Sequence, residues 1–279
     1  MTKFTKKVML MALVVAVLLM FLYPFIWVLS ASFQSNTTII KGQVRLIPKN
    51  FVLANYIPLF TSEYGVKFFY RYLLNSIIVG IPTALLSTFI ATISAYSLSR
   101  YDMPGKEIFA KFLLFIYVFP VTLMIIPVES LMSTLRLVNK REGLILIHSA
   151  LAVPFSTWLL RSFFDAVPQE LEEAAKVDGC SKFRAFGTIV FPLAAPGVAT
   201  VFIYSLVTSW GEYLFASILI QSDAHKTVPL GLAMYTTEQY IEWGQLLAGT
   251  VVTFLPLLMI FIPLSGYFIK GFLEGAIKL

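Results

Sequence analysis

The chain has 279 residues, 58% hydrophobic and 13% charged, with a mean hydropathy of +0.82. Soluble domains carry about 25% charged residues, so an ordinary soluble enzyme and a disordered chain are excluded. The long apolar runs also exclude an outer-membrane barrel, whose strands alternate in segments of roughly ten residues. A net charge of +6 on so apolar a chain points to loops facing anionic lipid, not to nucleic acid. The single cysteine, Cys180, rules out an intrachain disulfide.

A spanning helix needs about 20 largely apolar residues. Six charge-poor stretches qualify in chain order: Val8–Phe33, Tyr72–Ser99, the short Phe112–Val128, Gly143–Leu160, Ala185–Ser222 and Trp243–Ile269. Only Glu212 interrupts the fifth. The pattern predicts an all-α polytopic membrane protein with six transmembrane helices and both termini on one side. Lys3, Lys6 and Lys7 precede the first run, which exceeds the core of about 7–15 residues of a signal peptide, so an uncleaved helix is expected. With the N-terminus inside, twelve Lys and Arg residues fall in inner loops and nine in outer ones. This weak bias favours cytoplasmic termini, with Arg136, Lys140 and Arg141 against it. The external loop Gln34–Arg71, with Pro48 and Pro58, is expected to be irregular with short helices. Pro120, Pro127, Pro192, Pro196, Pro256 and Pro263 are expected to kink or end spans.

The internal connection Arg161–Arg184 reads as helix, turn, helix. Pro168 suits a first helical turn. Gln169 and Glu170 follow, an acid there suiting the positive helix end, and Glu172, Glu173, Ala174, Ala175 and Lys176 continue the helix with good formers. Asp178-Gly179 closes it, because glycine takes the left-handed conformation of a helix end. Ser181 can cap a second helix. A lipid-lying amphipathic hairpin is the alternative. Against it, an Ala174-Ala175 centre flanked by acids suits close approach to another protein, and acids are repelled by anionic lipid.

Glu173-Ala174-Ala175, Gly179, Ile189 and Phe191-Pro192 resemble the E-A-A-x3-G-x9-I-x-L-P signature of binding-protein-dependent ABC importer permeases, with Phe191 in place of leucine. Leu74-Asn75-Ser76, Ser94-Ala95-Tyr96 before Arg100, Trp210–Ala216 and Lys270–Ala276 are similar to the second permease of carbohydrate importers of the maltose-transporter type. The resemblance implies a type I ABC importer permease fold in the cell inner membrane. Residues 1–71 would form a first helix and external loop. Residues 72–270 would form the transmembrane domain, with a cytoplasmic coupling loop at 161–190, and residues 271–279 a cytoplasmic tail. It implies four kinds of partner: a second homologous permease, two ABC ATPase subunits, an extracytoplasmic substrate-binding protein and membrane lipid. Glu170, Glu173, Ala174, Ala175, Asp178 and Gly179 would couple to an ATPase. The implied cargo is a carbohydrate, a disaccharide or short oligosaccharide first, with glycerol phosphate esters or polyols as alternatives.

Catalytic chemistry is missing from the sequence. Gly105-Lys106 is followed by Glu107 and lacks the upstream glycine of a phosphate loop, so ATP hydrolysis must lie on another chain. His148 and His225 lie in no metal-ligand pattern, and no cofactor is implied. An ion-driven secondary transporter would show repeats and several midplane ionisable groups; here only Glu212 and His148 qualify. Glu212 reads either as a pathway or permease-interface group or as a residue near water at the external end. His148 reads as a histidine bonded to a neighbouring helix, or as a substrate contact. Asn75, Trp210 and Tyr213 complete the candidate pathway or interface residues, with helix packing the plainer role for Asn75 and Ser76.

Overall fold

A computed structural model of the chain describes residues 3–61, 69–236 and 240–276. Among the described residues, four helices are long and apolar enough to cross a membrane: Phe4–Ser32, Phe69–Arg100, Arg141–Asp165 and Trp243–Gly266. Two further apolar segments are bent pairs, Lys106–Val118 with Val121–Thr134 at 89°, and Lys182–Leu193 with Ala195–Gly211 at 74°. Counting each pair as one span gives the expected six. No strand forms among the described residues; Thr236 and Ile241 make an isolated bridge.

By contacts the chain divides into two units, residues 1–71 with 231–256, and residues 72–230 with 257–279. The first unit opens with α1 (Lys3–Ser32), whose apolar side chains are exposed along most of its length. Short helices α2 (Asn36–Ile40) and α3 (Ile57–Thr61) follow, with a 3-10 turn at Leu53–Asn55, as the prolines suggested. Residues 62–68 of this loop, Lys67 included, lie outside the described residues. The loop is fastened by buried amides. Gln34 donates from Nε2 to the Arg45 carbonyl at 2.7 Å and accepts the Arg45 N–H at 3.1 Å. Asn55 donates to the carbonyls of Ser32 and Gln34, both at 2.8 Å. These bonds satisfy backbone groups that an irregular segment would otherwise leave unpaired.

The second unit begins at the first turn of α4 (Phe69–Arg100). Next come α5 (Lys106–Val118), a 3-10 turn at Val121–Met124 and α6 (Ile125–Thr134). The 89° bend has a local cause. Proline disfavours the helical conformation in the residue before it, and Phe119, before Pro120, is extended at φ −61°, ψ 134°. The third stretch is therefore a broken pair, not a straight span. Helix α7 (Arg141–Asp165) packs along α5 and α11. A Cβ at Gly197 would lie 2.4 Å from Phe163 Cγ, so only glycine admits this approach of α7 and α11.

After α7 come α8 (Glu170–Val177), α9 (Lys182–Ala185), a π segment (Phe186–Val190), α10 (Phe191–Leu193) and α11 (Ala195–Gly211). The 74° bend falls at Ala194, with Pro196 in the first turn of α11, where its missing N–H is harmless. The unit continues with α12 (Leu214–Leu219) and the start of α13 (Val228–Ala233). The final helix α14 (Trp243–Ala276) runs through Pro256 and Pro263 without a break. Membrane helices tolerate proline where neighbouring groups take up the freed carbonyls. Pro127 likewise sits in the first turn of α6 and does not interrupt it. Helix α14 also continues past Ile269 to Ala276, so the expected tail begins as helix, and residues 277–279 lie outside the described residues. Two apolar clusters hold the second unit, one around Leu144, Ile147, Phe215 and Leu219, the other around Leu160, Phe164, Val190 and Val201.

Candidate functional site

The predicted loop helix forms, starting two residues later than expected. It starts at Glu170 with Gln169 as its cap, so Pro168 precedes the helix instead of occupying its first turn. Three acids lie in the first turn and Lys176 in the last, matching the polarity of the helix ends. The C-terminus closes as a Schellman motif. The Cys180 N–H donates to the Ala175 carbonyl at 2.9 Å and the Gly179 N–H to that of Lys176 at 3.0 Å. Gly179 has φ +84° in open space, so backbone conformation and not crowding requires glycine. Ser181 caps α9 as expected, accepting the Arg184 N–H at 3.3 Å.

Helical periodicity divides α8 into two faces. Glu172 and Ala175 point inward and are buried. Glu170, Glu173, Ala174 and Val177 fall at i, i+3, i+4 and i+7, and all are exposed. Val177 is 88% exposed and nearby Phe183 86%. Apolar side chains this exposed, bordered by Glu170, Glu173 and Asp178, make a surface shaped for a partner. The two alanines therefore have opposite roles: Ala174 faces out and Ala175 packs inward.

Glu172 was legible only as a helix former. It forms a buried ion pair with Arg100 Nε and accepts the Tyr96 hydroxyl at 2.7 Å. Arg100 also donates to the Val167 carbonyl at 2.9 Å and to Ser99 Oγ at 3.0 Å. Near the loop before α5, Asp102 pairs with Lys106 at 2.7 Å, which holds the Asp102 carboxyl below its usual range.

The second cluster surrounds Glu212, which lies not within a helix but at the break between α11 and α12, extended at φ −71°, ψ 120°. Its carboxylate accepts the N–H groups of Phe215 at 2.8 Å and Ala216 at 3.1 Å, satisfying orphan donors at the start of α12. His148 of α7 lies 3.0 Å from Glu212 through Nε2 and 2.8 Å from Ser209 Oγ through Nδ1. A neutral ring with the proton on Nε2 donates to the acid and accepts the serine hydroxyl, so one tautomer satisfies both contacts. This polar wall faces a cleft of about 440 Å³ whose remaining lining is largely apolar, including Ile116, Met124 and Leu151, with Tyr117 and Tyr204 beside it. Phe155 stacks on Tyr117 with centroids 4.7 Å apart and packs against Tyr204 at 4.6 Å.

The other sequence candidates fall elsewhere. Trp210 is buried beside Gly80 of α4. Tyr213 is 48% exposed in the break itself. Asn75 donates to the carbonyls of Ala224 and Lys226, both at 2.9 Å, and Ser76 accepts the Val228 N–H at 2.9 Å. These two residues thus hold the loop before α13 instead of packing helix on helix. Asn139, at φ +60°, holds the same loop, accepting from Gln221 at 3.2 Å and Ser222 at 2.9 Å. Sequence reading missed it, since isolated asparagines carry no spacing signal.

A family model described as "Binding-protein-dependent transport system inner membrane component" matches residues 74–278. An inner membrane ABC transporter permease protein of Escherichia coli, YcjP, is 32% identical over 94% of this chain and 92% of its own length. The trehalose/maltose transport system permease protein MalG of Thermococcus litoralis is 28% identical over 98% of this chain and 97% of its own. Among solved structures, a chain of a bacterial ABC transporter involved in the import of the acidic polysaccharide alginate superposes with a TM-score of 0.77. It is 23% identical, covering 96% of this chain and 99% of that one.

Proposed function

This chain belongs to the binding-protein-dependent transport system inner membrane components, and on that premise we propose that it is one of two homologous permeases lining the pathway of an ATP-driven carbohydrate importer. It is a multi-pass membrane transport component, not an enzyme. Its cargo is a disaccharide or short oligosaccharide, a reading supported by the trehalose/maltose permease among its relatives. Two ATPase subunits sit beneath the permeases, and an extracytoplasmic binding protein delivers the sugar. Residues 1–71 supply the first helix and external loop, residues 72–270 the transmembrane domain, and both termini are cytoplasmic.

The carrying observation is the exposed stripe on α8. Glu170, Glu173, Ala174 and Val177 present a small apolar strip with acidic edges, and Gly179 closes the helix sharply behind it. Such a surface seats in a cleft of an ATPase. When ATP closes the ATPase dimer, the coupling helices approach each other and the pathway turns outward; hydrolysis resets it. Glu212 and His148 act as a hydrogen-bonded pair at the pathway wall, beside a cleft of about 440 Å³.

The test is uptake into vesicles carrying the whole assembly, with maltose and trehalose as probes. Uptake should require ATP and the binding protein, and should survive a protonophore when ATP is clamped. Uptake that collapses with the gradient under clamped ATP would overturn the importer reading. Cysteines at Lys176 and Lys49 should label from opposite sides, Lys176 from the cytoplasm; labelling from one side would overturn the topology.

A further inference from the structure

Helix α8 has eight residues, too few to be stable on its own. Its inward face offers only Glu172 and Ala175, and alanine buries little area. Its ends leave through connections that belong to no helix, at Ala166–Gln169 on one side and at Gly179–Cys180 on the other. A push on α8 is therefore poorly transmitted along the chain. The stiff connection runs through side chains. Both carboxylate oxygens of Glu172 are engaged, one by Arg100 and the other by Tyr96. Arg100 also grips the Val167 carbonyl, so it holds both α8 and the turn that leads into it. The Tyr96 ring packs edge-on against Phe164 of α7 at 5.7 Å and Phe186 of the π segment at 4.7 Å. Tyr96 and Arg100 are one turn apart on α4. The ion pair is almost dry, with both side chains 7% exposed. A buried pair of this kind favours one geometry more than it adds stability.

At its other end α4 carries Asn75 and Ser76, which hold the backbone at Ala224, Lys226 and Val228. One helix thus links α8 to the loop before α13.

We propose that Arg100, Glu172 and Tyr96 form a clasp that makes α8 and α4 move as one body, so that a displacement of α8 reaches the 224–228 loop at the far end of α4. The inference rests on the coupling role given to α8 above. Arg100 and Tyr96 are positioning residues: they touch neither substrate nor nucleotide.

The experiment uses the full assembly in lipid vesicles, with Cys180 replaced by serine and an environment-sensitive dye on a single cysteine. Leu171→Cys, outside the docking strip, reports on α8 and Ala224→Cys on the far loop; both positions are exposed. The probe is a non-hydrolysable ATP analogue, so no sugar need be known. In the parent protein both dyes should respond to the analogue. In Arg100→Lys and Glu172→Gln the Leu171→Cys response should persist, while the Ala224→Cys response falls about fivefold or more. Tyr96→Phe should give a smaller loss, and the exchanged pair Arg100→Glu with Glu172→Arg should recover part of the response. An Ala224→Cys response of parental size in Arg100→Lys and Glu172→Gln would overturn the clasp. So would simultaneous loss of both responses and of ATPase copurification in Tyr96→Phe, which marks a merely structural role. A parental Leu171→Cys dye that ignores the analogue would overturn the coupling role of α8 itself, and this inference with it.

Discussion

Glu172 and Glu212 are two acids with little water around them, and the chain treats them differently. Glu172 meets a permanent cation and a phenol, and every contact ties one element to another: α8 to α4. Glu212 meets an imidazole and two backbone N–H groups, and two of these three contacts begin its own next helix. The first acid fixes the relation between elements. The second ends α11, starts α12 and leaves a polar edge on a cleft. Similar burial thus serves fastening in one place and lining in the other, and the partner set tells which.

Each side of this comparison can be broken. The largest effect is expected for Glu172→Ala, which strands buried Arg100 without its counter-charge, at a cost of about 3–5 kcal/mol. Thermal unfolding in detergent should show it, and uptake should be lost. Glu212→Leu leaves two N–H groups and His148 without their acceptor, at about 1–3 kcal/mol. Glu212→Gln keeps one accepting oxygen for part of this set, and its NH2 can donate to His148 in the other tautomer, so uptake should be better retained than with leucine. Parallel uptake assays on the two variants check this, and equal loss in both would argue that charge itself is needed. Gly179→Leu forces a side chain into the left-handed region at about 1–2 kcal/mol. It should remove transport while the permease still inserts, as judged by membrane fractionation. Smallest is Ser181→Ala, which deletes the cap of α9 for about 1 kcal/mol. A slight fall in melting temperature with near-normal uptake is expected.

The α8 region was largely legible because its signals are local. Acids at the start, Gly179 at the end and Ser181 as the next cap are chemistry between near neighbours. The bends at Pro120 and near Pro196 were legible for the same reason, whereas Pro256 and Pro263 end no helix, because a membrane helix can absorb a proline. The clasp was hidden: Arg100 and Glu172 stand 72 positions apart, and His148 and Glu212 stand 64 apart. Nothing in the spacing of such residues announces a partner on another helix. Glu212 also looked like a costly charge inside a span, because a hydropathy run cannot reveal that the helix stops at Gly211 and restarts at Leu214.

Helix length carries one more consequence. At 1.5 Å per residue, the 30 residues of α1, 32 of α4 and 34 of α14 extend about 45–51 Å, against a hydrocarbon core of about 30 Å. Such rods must lean from the bilayer normal or stand proud of it. The cost of leaning changes with membrane thickness by fractions of a kcal/mol per Å. Lipid acyl-chain length therefore becomes a physical variable of this protein, acting on α4 even where no lipid touches the sugar, the nucleotide or the α8 surface.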